Sequence, residues 1–145
     1  MSRHAYEIHA HSPGPPASVY ALLVDIPGWA RWGSPLIKKA VIERPGASEP
    51  CGVGAIRKIG RPPFMSREEI TELEPNRHMA YVITDRGPTK SYRATVDLTP
   101  AADGGTDIRW RAELEPTIPG TGGVVSWGFA RAVRFIARKV AAAAN

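Results

Sequence analysis

Residues 120–144, GTGGVVSWGFARAVRFIARKVAAAA, decide the fold of this chain because they predict one long helix with two different faces. At about 100° per residue, its apolar side chains share one stripe. The stripe contains Val125, Phe129, Ala132, Val133, Ile136 and Val140. Arg131, Arg134 and Arg138 lie opposite it with Trp127. The apolar stripe must be buried against another layer of structure.

The rest of the chain supplies that layer, because it alternates between apolar and polar residues with period two, as strands do. The first such segment is residues 3–11, and six others follow at residues 36–44, 53–59, 65–74, 78–85, 92–99 and 108–114. Residues 16–25 have helical spacing, and a second short helical turn carries Trp29 and Trp32. This order predicts an α+β domain with a curved, seven-stranded antiparallel sheet and helices on one face. A helix laid across a concave sheet encloses a cavity.

The bulk composition is that of one globular domain spanning residues 1–145. Of its 145 residues, 43% are hydrophobic and 23% are charged, and no apolar run reaches the length of a membrane span. The first ten residues lack the apolar region of a secretory signal, so we expect a cytoplasmic protein. The net charge of +5 comes from arginines spread along the sequence, which argues against a nucleic-acid partner. The single cysteine, Cys51, excludes an internal disulfide.

Particular residues, in a particular order, carry a family resemblance over nearly the whole chain. They are Ala10, Pro15-Pro16, Val19-Tyr20, Asp25, Trp29, Trp32, Gly52-Val53-Gly54, Glu68, Ile70, Glu74-Pro75, Gly104-Gly105-Thr106 and Ile108-Arg109-Trp110. In this order the chain resembles the START/Bet v 1-like (SRPBCC) superfamily, in its bacterial polyketide cyclase/dehydratase-like branch. The resemblance implies a helix-grip fold with a mostly apolar cavity. Members bind lipids, sterols, polyketides or plant hormones, and a minority catalyse cyclisation or dehydration.

The alternation of the strands predicts which side chains face the cavity. If Ile108, Trp110 and Ala112 point inward, the neighbouring strands place further residues on the same face. The expected lining of the sheet is Arg67, Glu69, Thr71, Tyr81, Ile83, Tyr92, Ala94 and Trp110, and that of the helix is Phe129, Val133 and Ile136. A one-residue slip in the fourth strand would exchange Glu69 for Glu68 and Ile70.

Glu69 is the candidate catalytic residue, because a carboxyl in an apolar cavity can serve as a general acid or base. The alternative is a simple ion pair with Arg67, two residues away on the same strand. The resemblance places a proposed catalytic tyrosine and arginine of the aromatase/cyclase branch at positions that are Leu36 and Leu73 here. This departure favours a binding pocket over that chemistry, although Arg67 or Arg57 could approach the cavity from elsewhere.

Three further groups of residues leave alternatives open. Trp29 and Trp32 either form the mouth of the cavity or anchor the short helix to the sheet. His9 and His11, with Glu7, have zinc-ligand chemistry, but we expect an outer face without metal. The arginine face of the last helix is either solvated or contacts a membrane surface.

Taken together, these features predict a monomer or homodimer that binds a small hydrophobic molecule, such as a lipid, fatty acyl or polyketide-like compound. Neither a cofactor nor a metal is required for that role. The alternative is an enzyme of the polyketide cyclase/dehydratase type that acts in the same cavity.

Overall fold

A computed structural model describes residues 3–145 and contains seven strands and three helices in that part of the chain. The elements, in chain order, are β1 (His4–Ser12), α1 (Pro16–Val24), α2 (Trp29–Trp32), β2 (Lys39–Arg44), β3 (Ile56–Arg61), β4 (Phe64–Glu74), β5 (His78–Ile83), β6 (Thr89–Pro100), β7 (Thr106–Pro116) and α3 (Gly122–Ala143). This is the order predicted from the sequence. None of these helices is long and apolar enough to cross a membrane.

The seven strands form one antiparallel sheet in the order β1-β7-β6-β5-β4-β3-β2. Except for β1, which joins the sheet beside β7, each strand pairs with its neighbour in sequence. The inner face is apolar: Ile8, Trp110, Val96 and Met79 are all buried and lie on four adjacent strands. The helix-grip architecture expected from the sequence is confirmed.

Helix α3 buries its predicted stripe against the sheet. Val133 and Val140 are buried, Phe129 and Ile136 are partly buried against the core, and the three arginines opposite them are exposed. The end of the helix is tied to β1, because the buried hydroxyl of Ser12 donates a hydrogen bond to the carbonyl of Ala141 at 2.7 Å. The amphipathic pattern therefore sets which face of the helix packs on the sheet, and the Ser12 hydrogen bond holds its end in place.

Strand β4 contains an irregularity that changes which of its side chains face inward. Ile70 pairs with Tyr81 whereas Glu72 pairs with Ala80, so Thr71 is an extra residue in the strand. Such a β-bulge shifts the alternation by one residue. Glu68 and Ile70 therefore face inward before the bulge, and Leu73 packs against the core after it.

Candidate functional site

A pocket of about 550 Å³ lies between the inner face of the sheet and helix α3. Its wall combines buried residues of the sheet and helix with exposed residues at the rim. The lining residues are Trp29, Leu36, Ile37, Ile59, Gly60, Arg61, Phe64, Met65, Ser66, Glu68, Tyr81, Ile83, Asp85, Gly87, Pro88, Thr89, Tyr92, Phe129, Ala132, Val133 and Ile136. Most of these side chains are apolar or aromatic, as in typical small-molecule sites.

The structure brings together seven of the residues expected to line the cavity. They are Trp29, Tyr81, Ile83, Tyr92, Phe129, Val133 and Ile136. Three others, Trp32, Ala94 and Trp110, are buried in the adjoining core and do not reach the pocket surface. Trp110 supports the wall from behind, because its indole N–H donates a hydrogen bond to the hydroxyl of Tyr81 at 3.2 Å.

The predicted places of Arg67, Glu69 and Thr71 are wrong, because the bulge at Thr71 reverses the alternation before it. Arg67 is half-exposed and donates hydrogen bonds to Glu43 at 2.7 Å and Thr84 at 3.0 Å. Glu69 lies 3.9 Å from Arg44 and is likewise half-exposed. Neither residue lines the pocket, nor does Thr71. Glu69 thus does not present its carboxylate to this pocket.

Glu68 is the carboxylate that the slipped register brings to the pocket wall. Its Oε1 atom accepts two hydrogen bonds from Arg57, from Nε at 3.0 Å and from Nη2 at 2.8 Å. Its Oε2 atom accepts one from the hydroxyl of Ser66 at 2.9 Å. Arg57 and Glu68 are directly paired residues of β3 and β4. The antiparallel register therefore places this buried ion pair at the inner face of the sheet.

Arg57 is fully buried beneath two aromatic rings. Its guanidinium lies 4.2 Å from the centre of the Trp29 ring and 4.8 Å from that of Tyr81. Such cation–π contacts stabilise a desolvated cation. Its Nη1 atom has no hydrogen-bond partner among residues 3–145. Arg57 is not itself a lining residue, so Glu68 presents the polar side of the pair to the pocket.

Three tyrosine hydroxyls lie close enough to Glu68 for its charge to act on them. The hydroxyls of Tyr6 and Tyr92 form a short hydrogen bond with each other, and Tyr81 accepts one from Trp110. Burial raises the pKa of all three phenols, and the negative charge of Glu68 raises the pKa of each further. These phenols therefore stay neutral and able to donate a hydrogen bond far above neutral pH.

Trp29 is an anchor of the pocket wall rather than a cover at its mouth. It is only 1% exposed, and its indole N–H donates a hydrogen bond to the carbonyl of Leu23 at 2.9 Å. Its ring packs against Trp32, with a distance of 4.7 Å between the ring centres. The rim instead carries Leu36 and Phe64, and Phe64 is 84% exposed.

Sequence reasoning did not assign Tyr6 and Ser66 to the site. It named Glu68 only as the result of a one-residue slip, and Arg57 only as a group that could approach the cavity from elsewhere. The sequence does contain a sign of the β-bulge in β4, because Ile70 and Leu73 are both apolar but three residues apart. Two inward residues at that spacing require one extra residue between them. For Arg57, the signal was its position two residues before the buried Ile59 on the same strand.

His9 and His11 of β1 lie on the outer face of the sheet. The ring of His9 pairs with Glu7 at 2.6 Å, and that of His11 lies 2.9 Å from both Asp103 and Asp107. Among residues 3–145 there is no cluster of three or more histidine, cysteine, aspartate or glutamate side chains that could hold a metal ion.

The outer face of α3 exposes its arginines and Trp127. The guanidinium of Arg131 lies 5.2 Å from the centre of the Trp127 ring, and Arg134 and Arg138 are exposed on the same side. This arrangement matches the face expected from the sequence. The two alternatives for this face, solvation and contact with a membrane surface, both stay predictions.

Comparison with solved structures gives the same architecture. The crystal structure of Ara h 8.0201 has a TM-score of 0.70 at 20% identity, over 96% of this chain and 98% of that chain. A START superfamily protein from Mycobacterium smegmatis has a TM-score of 0.78 at 11% identity, over 94% of each chain. At these identities the likeness shows the fold alone. A search of curated proteins finds no significant match.

A curved antiparallel sheet that grips a C-terminal helix, with an apolar pocket between them, defines the helix-grip class of proteins. Residues 3–145 match the family described as polyketide cyclase / dehydrase and lipid transport, and the chain belongs to this family. The resemblance to the START/Bet v 1-like superfamily that the sequence indicated is thereby confirmed.

Proposed function

We propose that this protein binds a small hydrophobic molecule, such as a lipid, fatty acyl or polyketide-like compound, in the pocket between the sheet and α3. The observation that carries the proposal is the pocket itself, with its volume of about 550 Å³ and its largely apolar wall. A volume of this size is within the usual range for small-molecule sites. The family description, which includes lipid transport, supports the same reading.

The expected affinity follows from the apolar area that a ligand would bury. A ligand that buries about 300 Å² gains roughly 7 kcal/mol at about 25 cal/mol per Å². The loss of translational and rotational freedom reduces this gain. We therefore expect dissociation constants no tighter than about 1 μM for a purely apolar ligand.

A fluorescent probe and a pocket-filling substitution test the proposal. N-phenyl-1-naphthylamine is uncharged and hydrophobic, so it should bind the wild-type protein and gain fluorescence. Ala132 lines the pocket, and Ala132→Trp should reduce binding at least about tenfold because the indole occupies the ligand's volume. Ala142 is exposed near the end of the same helix, so Ala142→Trp is the matched control. Equal binding by the two variants, or no binding by the wild type, contradicts the proposal.

The alternative is an enzyme of the cyclase/dehydratase type, and its candidate acid–base group is now Glu68. Glu68 already accepts three hydrogen bonds, from Arg57 and Ser66, and the adjacent phenols have raised pKa values. A proton shuttle needs a group that gains and loses its proton near the working pH. Because the carboxylate of Glu68 is already hydrogen-bonded and the phenols are held neutral, the site favours ligand binding over acid–base catalysis. Turnover that is abolished in Glu68→Gln while ligand binding persists would support the enzyme instead.

A further inference from the structure

The carboxylate of Glu68, a lining residue of the pocket, retains an acceptor position that no protein group occupies in the described part of the chain. A carboxylate offers about four such positions, two on each oxygen. Arg57 occupies both positions on Oε1, and Ser66 occupies one on Oε2. Among residues 3–145, no other side chain donates a hydrogen bond to Oε2. Because Glu68 lines the pocket, a bound molecule can reach this remaining position.

Tyr81 supplies a complementary donor beside it. Its oxygen accepts the hydrogen bond from Trp110, so its own hydroxyl hydrogen is available for another acceptor. Both Tyr81 and Glu68 line the pocket, and Ile70, the next inward residue of β4 after Glu68, pairs with Tyr81. A group that both donates and accepts therefore suits this part of the wall.

The charges of the site select among the groups that could bind there. Arg57 already neutralises Glu68, so the carboxylate does not need a cationic ligand. Arg57 is fully buried under Trp29 and Tyr81 and does not line the pocket. Arg61 does line it but is exposed at the rim, so neither arginine offers a cation to an anionic group at the buried end. A carboxylate on a ligand would face the negative oxygen of Glu68 in a desolvated site. A neutral hydroxyl satisfies both protein groups without adding charge.

We infer that the ligand of this pocket carries a hydroxyl or phenol at its buried end, which donates a hydrogen bond to Oε2 of Glu68 and accepts one from Tyr81. This inference rests on the proposed function and adds the chemical class of the ligand to it. Apolar burial supplies most of the affinity, whereas Glu68 and Tyr81 orient the molecule and select for its hydroxyl group.

Three probes of nearly the same size test the inference on the wild-type protein by isothermal titration calorimetry. They are 4-hexylphenol, 4-hexylanisole, in which a methyl group replaces the phenolic hydrogen, and 4-hexylbenzoate. The phenol should bind about tenfold more tightly than the anisole, because hydrogen bonds to charged groups are stronger than neutral ones. The benzoate should bind more weakly than the phenol.

Two neighbouring variants localise the preference. Glu68→Gln replaces an acceptor oxygen by an amide donor, so the ratio between phenol and anisole affinities should fall below about threefold. Glu69→Gln makes the same change one residue away, outside the pocket, and should keep the wild-type ratio. If Glu68→Gln fails to fold, the affinities of the wild-type protein for the phenol, the anisole and the benzoate still decide the inference.

The possible outcomes separate this inference from the proposed function. Equal affinities for phenol and anisole, or tightest binding of the benzoate, would overturn the inference while leaving a hydrophobic binding pocket. A preference that persists in Glu68→Gln would also overturn it. Absence of binding by all three probes would remove the proposed function and the inference together.

Discussion

Arg57 and Glu68 face each other across β3 and β4 as a buried ion pair, joined by hydrogen bonds of 3.0 and 2.8 Å to one carboxylate oxygen. Their burial has a cost, because two charges leave water, and it is offset only while both partners are present. The aromatic rings of Trp29 and Tyr81 complete the enclosure of the cation. The stability of the fold thus depends on both partners of the pair, and Glu68 also supplies a polar group to an apolar pocket.

Removal of Glu68 should be strongly destabilising. Glu68→Ala leaves Arg57 buried without its carboxylate, at an expected loss of about 3–5 kcal/mol in the free energy of unfolding. The half-exposed neighbour is the control, and Glu69→Ala should cost about 1 kcal/mol or less. Urea denaturation measures both values.

The double variant Arg57→Leu with Glu68→Leu extends that test. Because it removes both charges, it should be more stable than Glu68→Ala. Similar losses for Glu68→Ala and Glu69→Ala would show that the ion pair is not buried as the structure has it.

Ser12 should contribute measurably to the docking of α3. Ser12→Ala removes the buried hydrogen bond to the carbonyl of Ala141 and the acceptor of the Gly14 N–H, for an expected loss of about 1–3 kcal/mol. Ser91 is exposed and bonds to Glu115, so Ser91→Ala should cost less than about 0.5 kcal/mol. Thermal unfolding compares the two. A smaller effect at Ser12 than at Ser91 would refute this account of the helix end.

The stability of the fold should depend on the protonation of His78. Partial burial lowers its pKa, but hydrogen bonds and charges from Asp97 and Glu72 outweigh this effect and raise the pKa above its usual value. Arg93 and Arg111 face the same two carboxylates, at 3.1 and 3.9 Å. Protonated His78 therefore stabilises the fold below about pH 6.5, and this contribution is lost as the pH rises through the raised native value.

The free energy of unfolding of wild type and His78→Asn, measured at about pH 5 and about pH 9, checks this prediction. The wild type should exceed the variant by more at the lower pH. A difference that stays constant or grows towards high pH would mean that the pKa of His78 is not raised.

The buried phenols should resist ionisation until the protein unfolds. The pKa values of Tyr6, Tyr81 and Tyr92 are raised by burial, so the folded state keeps these protons at about pH 10, where unfolded tyrosines begin to lose theirs. Stability should accordingly fall as the pH rises above that value. The fourth tyrosine, Tyr20, is only partly buried and lies outside the pocket, so Tyr20→Phe is the background for the titration. In that variant, tyrosinate absorption should appear together with loss of the circular dichroism signal. A phenol that titrates near pH 10 while that variant is still folded would contradict the enclosed site.

Much of the fold was predictable because long segments repeat one simple period. The stripe of α3 and the alternation of β6 and β7 follow directly from the positions of apolar residues, and the structure buries them as expected. The inner face of β4 was predicted wrongly because a single extra residue, Thr71, reverses the alternation. The Arg57–Glu68 pair could not be assigned without that register, since charged residues usually mark an outer face.

Chemical-shift mapping tests directly whether a hydrophobic ligand binds in the pocket between the sheet and α3. We would titrate ¹⁵N-labelled protein with 4-hexylanisole, which needs no polar recognition, and follow the amide and indole resonances by NMR. Binding in the pocket predicts shifts concentrated at Trp29, Tyr81, Ile83, Val133 and Ile136, which surround it. Shifts confined to the outer face of α3, around Trp127 and Arg131, or no shifts at all, would contradict it.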